Sequence, residues 1–176
     1  MIKNIIARRY SKALLEIIKD KDLPRLEDEV IALQSILKDE PAIEEFLVSP
    51  IVEDLHKKEI VELLMKEFKA QNVLKNFMIV LIEKERIFFI SEILRELIAR
   101  IHKRLGIFDF ELVTAHEIGE KTLQKIQSFI SKRVEGEVLF THKIDPNVRG
   151  GFLAYNDDIA INASIRNNLD ALKRKF

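Results

Sequence analysis

No glycine occurs among residues 1–105, whereas Gly106, Gly119, Gly136, Gly150 and Gly151 all fall in residues 106–176. A long stretch without the residue that most readily adopts left-handed backbone suits helices joined by short connections. The later cluster suits strands and tight reversals. The chain therefore reads as two domains, residues 1–105 and residues 106–176. Charge does not separate them: the first carries 19 basic and 19 acidic residues, the second 10 of each.

The first domain repeats its apolar residues with helical period. Ile6, Tyr10, Ala13, Leu14 and Ile17 define one helix, and Leu26, Val30, Leu33 and Leu37 a second, starting near Pro24. Pro41 opens a short third helix with Ile43, Phe46 and Leu47, which Ser49-Pro50 ends. Asp54 is expected to cap a fourth, bearing Ile60, Val61, Leu64 and Phe68. A fifth is expected from about Val73 to Arg86, and a sixth after a cap at Ser91, with Ile93, Leu94, Leu97, Ile98, Ile101 and Leu105 inside. Gly106 then stands where a left-handed residue would close the last helix. Six helices with short connections make a compact bundle.

In the second domain Phe108-Asp109-Phe110-Glu111-Leu112 alternates apolar with charged residues, the period of a strand. Leu123, Ile126, Ile130 and Val134 return to helical spacing, and Val138, Phe140 and Ile144 to strand spacing. Pro146-Asn147 and Gly150-Gly151 read as a turn and a permissive backbone position. Phe152 to Tyr155 and Ile159 to Ile161 flank Asn156-Asp157-Asp158 as a hairpin, and Ser164 would cap a final helix with Ile165, Leu169, Leu172 and Phe176. The fold class is mostly α: a six-helix bundle followed by a small α+β domain.

Composition narrows function. With 29 basic against 29 acidic residues there is no net field to attract nucleic acid or an anionic membrane. The absence of cysteine removes thiolate chemistry and disulfides, and makes a reduced cytosolic compartment the simplest setting. The longest apolar run, Phe77 to Ile82, is far shorter than the ~20 residues that span a bilayer. Arg8, Arg9 and Lys12 rule out a signal-peptide core.

His56, His102, His116 and His142 lack the close helical spacing of paired metal ligands, and His116-Glu117 lacks the downstream histidine of a zinc protease. Gly119-Glu120-Lys121-Thr122 has the wrong spacing for a phosphate loop and reads as a helix start. Glu44-Glu45 and Asp157-Asp158 are expected on solvated segments, where nothing would split their pKa values for acid–base work. The expectation is no catalytic residue, no cofactor and no metal.

What remains is apolar surface. On a helical wheel Ile2, Ile6, Ala7, Tyr10, Ala13, Leu14, Ile17 and Ile18 cover ~160°, wider than the ~100° that one core contact needs. Phe77-Met78-Ile79-Val80-Leu81-Ile82 surrounds the axis of the fifth helix, which is either wholly internal or packed against something beyond the bundle. In the second case the first and fifth helices would lie side by side and leave a groove for a partner's amphipathic helix. Burying five or six such side chains gains ~8–18 kcal/mol, against an association cost of ~4–15 kcal/mol.

Ala7-Arg8-Arg9-Tyr10-Ser11-Lys12-Ala13-Leu14 resembles the first-helix motif of the delta subunits of bacterial F-type ATP synthases, relatives of the mitochondrial oligomycin-sensitivity-conferring protein. Phe46-Leu47-Val48-Ser49-Pro50-Ile51 with Lys58, and Phe77 to Arg86, are similar to later segments of that family. So, in order, are Val113-Thr114-Ala115, Lys143-Ile144-Asp145-Pro146, Gly150-Gly151-Phe152 and Ile161-Asn162-Ala163-Ser164-Ile165.

The resemblance implies a non-catalytic stator subunit that ties the catalytic head to the membrane-anchored stalk. It implies that residues 1–105 bind the amino-terminal helix of an alpha subunit between the first and fifth helices, through Ile6, Tyr10, Ala13, Leu14 and Ile17 with Phe77, Met78, Leu81 and Ile82. It implies that residues 106–176 meet the carboxyl-terminal region of the b subunits, with no nucleic acid and no direct membrane insertion. The implied location is the cytoplasmic face of the bacterial plasma membrane. Lys84-Glu85-Arg86 departs from the family's usual Asn at its first position, and Asn162 stands where Asp is usual. A generic helical adaptor shares the groove but not the ordered carboxyl-terminal motifs.

Overall fold

The computed structural model describes residues 2–67, 70–148, 150–156 and 158–164. It divides into two compact units, Met1–Leu105 and Gly106–Phe176. The first holds helices α1 (Ile2–Ile17), α2 (Leu23–Asp39), α3 (Pro41–Val48), α4 (Asp54–Glu67), α5 (Asn72–Glu83) and α6 (Ile90–Leu105), with 3-10 turns at Asp20–Asp22 and Ile87–Phe89. The second holds β1 (Ile107–Thr114), α7 (Glu120–Val134), β2 (Glu137–Ile144), β3 (Phe152–Tyr155) and β4 (Ala160–Asn162). The chain is thus mostly helical, with a small four-stranded sheet in its carboxyl-terminal part.

In the first unit α1 packs most extensively on α6, α5 on α4, and α2 on α6. The α1 sequence explains its closeness to α6: Ala7 and Ser11, one turn apart, are both buried, and the Ser11 hydroxyl donates to the Ile93 carbonyl at 3.2 Å. Small side chains let the two backbones approach, and the buried hydroxyl is satisfied. An ion pair and a charged hydrogen bond reinforce the same seam: Lys3 on Glu92 at 2.9 Å, and the Arg104 guanidinium donating to the Leu15 carbonyl at 2.7 Å. The core is aliphatic, from Leu23, Leu26 and Leu33 on α2 to Ile93, Leu97 and Ile101 on α6.

Three helix boundaries differ from the sequence expectation. Asp54 is the first residue of α4 and does not precede it; the Lys57 amide bonds the Glu53 carbonyl. Ser91 lies inside α6, where its hydroxyl bonds Glu44 of α3, because the 3-10 turn at Ile87–Phe89 leads directly into the helix. The fifth helix stops at Glu83, short of Arg86, because Glu85 takes left-handed backbone with φ 53°. The amides of Lys84, Glu85 and Arg86 then close onto the carbonyls of Val80, Ile82 and Leu81.

In the second unit Gly106, at φ 72°, turns the chain out of α6 into β1. The sheet order is β2-β1-β3-β4, with β1 and β2 parallel and the other pairs antiparallel. A parallel pair needs a crossover, and α7 supplies it. Gly119 precedes that helix, so Gly119-Glu120-Lys121-Thr122 is a helix start. Phe110, Leu112, Val138 and Ala154 meet Ile126 and Ile130 of α7 in one apolar layer. Phe68, Asp157, Ile165, Leu169, Leu172 and Phe176, and the Ile2 side chain, lie outside what is described, and with them the expected final helix.

Candidate partner-binding site

Five of the nine residues expected to hold a partner are buried in the bundle. Leu14 is buried against the bundle core. On α5, Met78, Leu81 and Ile82 are 1% exposed or less and Phe77 is buried with them. These four sit at i, i+1, i+4 and i+5, a spacing that points them all at the bundle interior. The expectation that they line an open groove is corrected accordingly: each is part of the bundle core. Ile6 and Tyr10 are half-buried, with Tyr10 packed on the core edge.

The exposed apolar surface has a different composition. On α1, Ile6, Tyr10, Ala13 and Ile17 recur at i, i+4, i+7 and i+11, one stripe that flanks the buried face of Ala7, Ser11, Leu14 and Ile18. Ala13 is exposed and Ile17 is 71% exposed. On α5 the outward residues are Val73, Asn76, Ile79 and Val80, with Val80 41% exposed and Val73 and Ile79 half-buried. Sequence reading missed Val73, Ile79 and Val80, although polar Asn76 and Glu83 mark the outer side of α5 by their i+4 and i−3 relation to Val80. The extensive neighbours of α1 and α5 are α6 and α4, so the two helices are not a tightly packed pair. Both pack against the turn Ile87–Phe89.

The polar frame of this surface is fixed by ion pairs. Lys58 of α4 donates to Glu83 at the end of α5 at 2.7 Å, which holds the Glu83 carboxyl below its usual pKa range, chiefly through that hydrogen bond. Lys3 likewise lowers the pKa of Glu92, again mainly by hydrogen bonding. Arg8 and Lys12 flank the α1 stripe, paired at 4.0 Å with Glu96 and 3.9 Å with Glu16. Lys84, the residue that follows α5, is exposed.

In the second unit Asn162 accepts hydrogen bonds from the Ser164 amide at 3.1 Å and the Ser164 hydroxyl at 2.7 Å. These two hydrogen bonds are local, reaching two residues along the chain. Among the described residues no group of three or more His, Asp or Glu side chains could hold a metal ion. No described helix is long and apolar enough to cross a membrane.

These observations define a mostly helical two-unit protein with an apolar stripe on its first helix. The family model for the ATP synthase delta (OSCP) subunit matches residues 6–176. ATP synthase subunit delta of Protochlamydia amoebophila is 31% identical over 98% of this chain and 96% of its own length. That of Halothermothrix orenii is 29% identical over 100% of this chain and 92% of its own. A chain in the cryo-EM structure of the Toxoplasma gondii mitochondrial ATP synthase hexamer shares the fold, with a TM-score of 0.71 at 17% identity, covering 99% of this chain and 97% of that one. The protein belongs to the ATP synthase delta (OSCP) subunit family. It is a structural, non-catalytic subunit of the peripheral stalk, peripheral to the membrane complex, that holds the catalytic head against the torque of the rotor.

Proposed function

We propose that the stripe Ile6, Tyr10, Ala13 and Ile17 of α1, with Val73, Ile79 and Val80 of α5, receives the amphipathic amino-terminal helix of an alpha subunit. The second unit meets the carboxyl-terminal region of the b subunits, so the chain joins head to stalk at the cytoplasmic face of a bacterial plasma membrane. The observation that carries the alpha-subunit reading is the run of apolar side chains along α1 with helical spacing, half-buried at Ile6 and Tyr10 and exposed at Ala13 and Ile17. The helix already buries Ala7, Ser11, Leu14 and Ile18 in its own bundle, so the outer part of the stripe, Ala13 and Ile17 above all, is apolar surface that the bundle does not cover. Ala13 permits close backbone approach, and Tyr10 offers a ring for burial with its hydroxyl at the rim.

Binding calorimetry of the full chain with an alpha amino-terminal peptide tests this. Tyr10→Asp is expected to weaken the affinity at least about tenfold while leaving the circular dichroism unchanged, because an unpaired carboxylate enters an apolar contact. Unchanged affinity in the folded variant would remove Tyr10 from the site.

A further inference from the structure

We infer that the outer face of α7 is a docking trough for an acidic amphipathic helix of a partner polypeptide. The second unit is neutral in total, yet its single described helix is not: α7 carries Lys121, Lys125, Lys132 and Arg133 against Glu120 alone. Apart from Glu120, the described acidic side chains of the unit, among them Asp109 and Glu111 on β1 and Glu137 on β2, belong to the sheet and loops. Neutrality by sum conceals segregation by element. No ion pair among the described residues involves α7, whereas the cations of α1, α4 and α6 are repeatedly paired.

The geometry is specific to a helix. Lys121, Lys125, Ser128 and Lys132 stand at i, i+4, i+7 and i+11, one stripe about 16 Å long, which matches three turns of a partner helix. A recess of about 590 Å³ lies along it, lined by these four residues with Gln124 and Phe129. Phe129 gives the recess an apolar floor; its ring is 46% exposed, held edge-on by Phe152 at 6.3 Å and covered on one side by the Arg133 guanidinium at 5.2 Å. A row of ammonium groups beside an aromatic floor complements a helix with carboxylates along one edge and an apolar residue next to them.

The inference rests on the reading that the second unit grips a b subunit, and it places the grip on α7. The test is binding of the full chain to the carboxyl-terminal segment of the b subunit from the same complex, with three chains compared: unaltered, K121E/K125E/K132E, and Phe129→Ala. Amide exchange across β1 and α7 verifies that each is folded. The unaltered chain is expected to bind, and to bind about tenfold more weakly when ionic strength rises from about 50 to about 300 mM. The triple variant is expected to lose at least about tenfold, and Phe129→Ala several-fold with the salt dependence kept. Binding by the unaltered chain that survives charge reversal overturns the trough and leaves the b-subunit reading standing. No binding by the unaltered chain overturns both. Equal, salt-sensitive binding to single-stranded DNA or to phosphatidylglycerol vesicles would show a general polyanion surface and overturn the commitment to a helix.

Discussion

Glu85 and Gly151 show opposite uses of left-handed backbone. Glu85 pays strain to end α5, at φ 53°, where a side chain gains nothing. Glu85→Gly is expected to stabilise the first unit by up to about 1 kcal/mol, read as a higher denaturation midpoint with unchanged slope. At Gly151, φ 76°, a Cβ would lie 2.2 Å from the Ala163 carbonyl oxygen and 2.9 Å from the Ser164 Cα. Both neighbours are backbone and cannot step aside. Gly151→Val is expected to strip amide protection from β3 and β4; protection equal to that of the unaltered chain would contradict the close approach. The Gly-Gly pair was legible in the sequence as a permissive turn, but the crowding that makes Gly151 irreplaceable comes from residues twelve and thirteen positions later and has no local signature.

The helix α5 shows how far periodicity carries at the scale of an element. Its unbroken run Phe77 to Ile82 fixes that a helix is buried but not which way it faces, because every position satisfies the pattern. Phase comes from packing: Met78, Leu81 and Ile82 face the core, and Val80 faces out. The strands were easier, since alternation in Phe108 to Leu112 distinguishes two faces by itself, and α7 was legible as a helix while its one-sided charge disappeared into a neutral domain total. Two substitutions separate the faces of α5. Phe77→Ala is expected to cost ~3–5 kcal/mol of stability by leaving a core cavity. Val80→Asp is expected to change stability by no more than ~0.5 kcal/mol while weakening the alpha peptide, measured by chemical denaturation beside calorimetry.

The ends of these elements carry a pH dependence. Glu83 and Glu92 have pKa values lowered by Lys58 and Lys3. A depressed carboxylate adds stability that is complete above its unfolded value, about 4.3, and is lost as pH falls through the lower folded value. The melting temperature is therefore expected to fall as pH drops below about 4, and to fall less in Lys58→Met, which has no such pair on Glu83 to lose. An identical acid response in that variant would take the Lys58–Glu83 clamp out of the account.

At the scale of the whole molecule the proposed function divides one mechanical task between the two units. Each has a candidate face for it: the apolar stripe on α1 and the basic trough on α7. A stator transmits force and needs no reacting group, so its chemistry is the durability of two contacts. If the affinity of each contact sets how long the head stays fixed, the two faces should be occupied independently and by different partners. Amide exchange of the full chain with and without the alpha amino-terminal peptide addresses this most directly. The account predicts new protection along Ile6–Ile17 of α1 and the outer face of α5, with α7 unaffected. Protection confined to the second unit, or none on α1, would contradict it.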